Sequence, residues 1–167
     1  INSWHALGIY PVFSNGNSSN CGYPRPAGCN SVGNPARVGN VTGVGSTGRD
    51  NGLYAPHSNW GPTDDPDMVN PNGFPTLKPQ VVAPGVSIRS SINNGDSLYG
   101  LKSGTSMSAP HASGLIALMW DASPALRGDV AGTIQAIIGT VKAQAAIMRN
   151  RAACMLRASR VNSGASS

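Results

Sequence analysis

Three short apolar runs, each bounded by Gly, Asn, Ser or Pro, alternate along this chain with stretches of helical period. Ile9-Tyr10-Pro11-Val12-Phe13-Ser14 predicts a strand near 9–14. Val41-Thr42-Gly43-Val44-Gly45-Ser46 predicts a second near 41–46, and Gln80-Val81-Val82-Ala83 a third near 80–83. Asn2 to Gly8 reads as the last turns of a helix closed by a glycine. Leu115-Ile116-Ala117-Leu118-Met119-Trp120 is long and apolar enough for a buried helix near 105–120, and Ile134, Ile137, Ile138 and Val141 share one face of another over 129–146. Residues 15–34 and 49–77 are dense in Asn, Ser, Gly, Pro and Asp and predict surface loops. Strands alternating with helices imply an α/β fold with a largely parallel sheet flanked by helices.

Composition narrows the class. With 167 residues, 21 glycines, 13 prolines and 11 % charged residues, the chain is a loop-rich globular domain and neither a coiled coil nor a disordered segment. No run approaches the ~18 apolar residues of a membrane span, so no membrane association is expected. The net charge of +5 is unevenly placed. Residues 1–126 carry six Lys/Arg against six Asp, and the excess lies wholly in residues 127–167. A short basic tail of this kind reads as a solvated terminus, and no nucleic-acid partner is expected. Three cysteines are too few for a disulfide framework and lack zinc spacing. The Gly/Pro-rich loop between Cys21 and Cys29 leaves a bridge between those two open. Asp64, Asp65 and Asp67 lack the spacing and glycine of a calcium loop, so no cofactor or metal is expected; calcium stays open, with no ligand cluster to support it.

The chemistry centres on Ser103-Gly104-Thr105-Ser106-Met107-Ser108-Ala109-Pro110-His111-Ala112-Ser113-Gly114. Ser106 lies where a loop enters a helix, and Pro110, which lacks an N–H, is expected in the first turn of that helix. Free N–H groups there favour negative charge, as a hydroxyl nucleophile's oxyanion requires. Read without context, a serine before an apolar helix is an ordinary N-cap. The full segment resembles the nucleophile motif of the subtilisin-like serine proteases, G-T-S-[MA]-[SA]-x-P-H-x-x-G, at every fixed position.

Two further stretches carry the same resemblance in the family's order. Ile9 to Asn17 is similar to the strand that ends in the oxyanion Gly-Asn pair, and Lys78-Pro79-Gln80-Val81-Val82-Ala83-Pro84-Gly85-Val86 to K-P-D-[IV]-x-A-P-G-V, with Gln80 replacing the usual Asp. Asn34-Pro35-Ala36 stands in the place of a cleft-wall Y-P-A. Ser58-Asn59-Trp60-Gly61-Pro62 is similar to F-S-x-x-G-P, with Trp60 expected as a buried anchor. The resemblance implies a serine-type endopeptidase acting on polypeptide through an acyl-enzyme. Ser106 is then the nucleophile, Asn17 the oxyanion donor, and Ser14, Asn15 and Gly16 one wall of the substrate pocket. Asn17-Ser18-Ser19 is formally also a glycosylation sequon, which would exclude the oxyanion role, and the Gly16-Asn17 context favours catalysis. Asn40-Val41-Thr42 is a second sequon.

The family's base and its carboxylate, in H-G-T and D-[TS]-G segments, precede the oxyanion strand, and neither segment occurs here. His5 reads as structural, His57 lies in a loop in the wrong order, and His111, five residues beyond Ser106, is expected to be a buried packing residue. The chain is therefore read as the C-terminal half of the domain over 1–146, followed by a divergent basic tail over 147–167. Its expected partner is the missing N-terminal half. Alone it is expected to be inactive, and the resemblance implies an extracellular protein although no signal peptide is visible. The alternative is a non-catalytic pseudoprotease or binding module of the same fold. An esterase-like hydrolase is disfavoured because Gly104-Thr105-Ser106-Met107-Ser108 breaks G-x-S-x-G at its last position.

Overall fold

The computed structural model describes residues 1–18, 31–62 and 77–140. Helix α1 (Asn2–Ala6) ends in a turn closed by Gly8 at φ 70°, and strand β1 (Val12–Ser14) follows. Strand β2 (Thr42–Thr47) pairs in parallel with β1 on one side and with β5 (Val81–Pro84) on the other, giving the order β1-β2-β5. These are the three expected strands, the first shorter by its leading residues because Pro11 has no N–H to give the ladder. Strand β3 (Gly61–Pro62) and strand β4 (Leu77–Lys78) form a small antiparallel pair. Strands β6 (Ile88–Ser91) and β7 (Tyr99–Lys102) form a hairpin, which the sequence reading did not anticipate.

Helix α2 (Thr105–Ala122) packs across the parallel sheet, and α3 (Val130–Thr140) follows a short 3-10 turn at Pro124–Leu126. Both match expected helices, and 141–146 of the second lie outside the described residues. The core joins Val44 and Val81 from the sheet to Ala112 and Ile116 from α2 and Ile137 from α3, with Tyr10, Val12, Met119 and Trp120 at its margin. Each large apolar side chain so buried contributes about 1.5–3 kcal/mol. Trp120 is further tied down by its indole N–H, which donates to Thr133 Oγ1 at 2.8 Å.

Every residue of β2 is buried, yet its two faces differ. Val44 packs on α2, while a Cβ on Gly43 would lie 2.6 Å from Asn15 Oδ1, and one on Gly45 2.7 Å from the Pro79 ring and 3.1 Å from the Tyr54 hydroxyl. On the Gly43 side sits a second polar group. Lys78 Nζ donates to Val41 O at 2.7 Å, Gln80 Nε2 to the same oxygen at 3.0 Å, and Gly43 N donates to Gln80 Oε1 at 2.7 Å. Gln80 thus fills the family's acidic position with a neutral amide, and burial pulls the Lys78 ammonium down to about 7.

Among the described residues the side of α2 that carries Leu115 and Leu118 is left largely uncovered: the two are 45 % and 69 % exposed. Among the described residues no helix is long and apolar enough to cross a membrane, and no three His, Cys, Asp or Glu cluster as metal ligands. The Cys21–Cys29 pair, Asp64, Asp65, Asp67, Cys154 and the tail over 147–167 lie outside the described residues.

Candidate active site

Ser106 is the second residue of α2 and is exposed. The chain reaches it through Gly104, whose φ of 151° favours glycine and whose N–H donates to Gly85 O at 2.8 Å. Pro110 departs from expectation: it is the sixth residue of α2, in the second turn and not the first. A proline there cannot donate to the carbonyl four residues back, which is that of Ser106.

Asn17 arrives from the end of β1. Its Oδ1 accepts the Thr105 backbone N–H at 2.9 Å and the Thr105 hydroxyl at 3.2 Å. Thr105 Oγ1 in turn accepts Gly16 N at 3.2 Å. With the oxygen end fixed by two donors, the Asn17 amide nitrogen is turned the other way, and a Cβ on Gly104 would lie 3.4 Å from it. Among the described residues neither Asn17 Nδ2 nor the Ser106 N–H has a hydrogen-bond partner. Two N–H donors therefore stand at one helix start, the arrangement that stabilises an oxyanion.

The residues expected to wall the pocket differ in exposure. Ser14 and Gly16 are partly exposed, whereas Asn15 is fully buried, with Nδ2 donating to Asn59 O at 2.6 Å. What Asn15 can offer a substrate is backbone alone. Ser106 shares a cavity of about 490 Å³ with Ile88, Arg89, Ser90, Met107, Pro110 and His111. His111 is exposed, contrary to the expectation of a buried packing residue, because nothing in the described chain covers this side of α2. Its Nδ1 bonds the Met107 carbonyl at 2.8 Å, which makes Nδ1 the protonated nitrogen. His57 is half-buried; its Nε2 has no partner among the described residues, and burial lowers its pKa. Trp60 is half-buried, not a fully buried anchor. Asn40 is 3 % exposed and donates to Asn2 Oδ1 at 2.9 Å, so its sequon is closed to a glycan in this fold.

The model of the subtilase family matches residues 1–159. The chain belongs to the subtilase family. Among curated relatives of this subtilase, bacillopeptidase F of Bacillus subtilis is 33 % identical over 129 residues, 77 % of this chain and 8 % of the relative. Subtilisin Savinase of Lederbergia lenta is 32 % identical over 124 residues, 74 % of this chain and 36 % of the relative. An extracellular basic protease of Dichelobacter nodosus is 37 % identical over 94 residues, 53 % of this chain and 13 % of the relative. The chain thus spans 8–36 % of the length of these relatives. Of solved structures, a protease from Pseudoalteromonas arctica aligns at TM-score 0.62 and 28 % identity, over 84 % of this chain and 38 % of that one. Sphericase aligns at TM-score 0.56 and 27 % identity, over 78 % and 39 %. The α/β fold is therefore that of a subtilisin-like domain, in part.

Proposed function

We propose that this chain is the nucleophile-bearing half of a subtilisin-like serine endopeptidase. Ser106 Oγ attacks the scissile carbonyl, and the tetrahedral oxyanion that forms accepts hydrogen bonds from Asn17 Nδ2 and the Ser106 N–H. The observation that carries this reading is the grip of Thr105 on Asn17 Oδ1, which commits the other end of the amide to donation beside Ser106. The base that takes the serine proton and the carboxylate that orients it are supplied by the upstream half of the domain. That half is also the partner for the side of α2 where Leu115 and Leu118 are solvent-facing, and for the edge of β1 that no described strand pairs. Substrates are polypeptides, and the parent protein is secreted, in keeping with relatives such as the extracellular basic protease. No cofactor takes part in these steps.

The test is hydrolysis of an unstructured protein substrate by the gene product carrying the upstream half. Cleavage that disappears in Ser106→Ala supports the proposal. A folded product without cleavage identifies the chain as part of a non-catalytic relative.

A further inference from the structure

We propose that Tyr54, together with Ser58 and Asn15, is a positioning residue for the oxyanion donor: a buried polar clamp beneath the site sets where Asn17 presents its amide. The inference rests on the reading of Asn17 given above.

The Asn17 side chain is held by Thr105, but its backbone is held by the segment 57–59. Asn17 forms an isolated antiparallel bridge with Ser58, Ser18 N donates to His57 O at 2.7 Å, and Asn59 N donates to Gly16 O at 3.0 Å. That segment lies in a loop, so its own position needs a cause. A chain of hydrogen bonds supplies one. Ser46 N of β2 donates to Ser58 Oγ at 3.0 Å, Ser58 Oγ donates to the Tyr54 hydroxyl at 2.9 Å, and Tyr54 donates to Asn59 O at 2.8 Å. Asn15 Nδ2 reaches the same Asn59 carbonyl at 2.6 Å. The loop is thereby tied both to the sheet and to the residue two places before Asn17.

Two features argue against ordinary core packing here. Gly43 and Gly45 leave room on a fully buried strand for the side chains of Asn15 and, beside the Pro79 ring, of Tyr54, although such strands are otherwise rich in Val and Ile. Asn15 Oδ1 and Asn59 Oδ1 are also buried with no partner among the described residues, a cost that an apolar filling would avoid. Burial raises the Tyr54 pKa, so the hydroxyl stays a neutral donor across the working range. Connected buried networks of this kind rigidify what they hold.

The experiment is a double-mutant cycle between Tyr54→Phe and Asn17→Ala in the protein carrying its upstream half, with kcat and KM measured on a peptide substrate and thermal unfolding followed in parallel. Tyr54→Phe alone is expected to lower kcat about ten-fold with KM changed less than about two-fold, because misplacing a transition-state donor by a fraction of an ångström acts on the chemical step. In the Asn17→Ala background the same substitution is expected to cost less than about two-fold, since the group it positions is gone. An equal loss in both backgrounds, or no loss in either, overturns the inference while leaving the role of Asn17 intact. If Asn17→Ala leaves kcat unchanged, the oxyanion reading itself falls. Should Tyr54→Phe not fold, Ser58→Ala enters the same cycle with the same expected and contrary outcomes.

Discussion

Asn17 and Thr105 lie 88 residues apart in the chain and are joined by a hydrogen bond of 2.9 Å from the Thr105 backbone N–H to Asn17 Oδ1. The bond links the end of the first parallel strand to the first turn of the helix that carries Ser106. It uses one of the helix's free N–H groups to orient the amide, and the next, on Ser106, is the one the proposed reaction would use.

In the complete protein Asn17→Ala is therefore expected to lower kcat by ~10²–10³ with little change in KM, the magnitude known for loss of the oxyanion asparagine in subtilisin. Steady-state kinetics on a peptide substrate measure it. A rise in KM at constant kcat would instead mark Asn17 as a ground-state binding residue.

Thr105→Val keeps the shape of a fully buried side chain but removes an oxygen that donates to Asn17 and accepts from Gly16 N. Losing the partner of the part-buried Gly16 N–H is expected to cost about 0.5–1.5 kcal/mol of stability. Chemical denaturation reads that loss. A kcat reduction smaller than that of Asn17→Ala should accompany it, since the backbone N–H of residue 105 still holds Oδ1.

Much of this was legible in the sequence, and the exceptions have physical causes. Strands β1, β2 and β5 and helix α2 follow from short apolar runs between turn residues and from a long apolar run after Ser106, and the site motif is local. The hairpin of β6 and β7 was missed because it packs little. Tyr99 and Leu101 are 58 % and 64 % exposed, so no alternation of buried and polar positions marks the strands; the turn residues Asn93-Asn94-Gly95 were the usable signal. The exposure of His111 depends on what lies against α2, which a helical period does not reveal. The resemblance implies Asn15 as part of a pocket wall; that its side chain is buried against Gly43 comes from a contact between distant segments, which the sequence does not show. Tyr54 lies in a polar loop, and its partners come from segments that only the fold brings together.

Gly43→Ala is expected to be among the more damaging single-methyl additions. Its Cβ would lie 2.6 Å from Asn15 Oδ1 and 3.3 Å from Gln80 Oε1, both in buried side chains with little room to give. Overpacking of this kind costs about 1–3 kcal/mol, measurable as a lowered thermal midpoint.

Lys78 should make stability depend on pH. Its folded pKa of about 7 lies below the ordinary value of 10.5, so the unfolded chain binds more protons between those values and stability rises with pH across that window. At about 1.4 kcal/mol per unit, the rise amounts to a few kcal/mol. Below about pH 7 the full cost of charging the buried amine is present. The raised pKa values of Tyr10 and Tyr54 act in the opposite sense only above their ordinary value of 10, and the lowered ones of His5 and His57 act below 6.5, so among the described residues Lys78 is the group whose shift acts between pH 7 and 10. Gln80→Asp, which returns a carboxylate to the pair, is expected to flatten the slope in thermal denaturation over that range. An unchanged slope would mean that Lys78 is not its source.

The central claim is that Ser106 is an activated nucleophile only when the upstream half supplies its base. The direct measurement is labelling by a fluorophosphonate, with the modified residue located by peptide mapping, on residues 1–167 alone and on the protein with its natural upstream sequence. Loss of the base lowers kcat by ~10⁶ in subtilisin, so the short chain should remain unlabelled while the longer one is labelled at Ser106. Rapid labelling of Ser106 in the short chain would contradict the account and point to His111, which lines the same cavity, as the base.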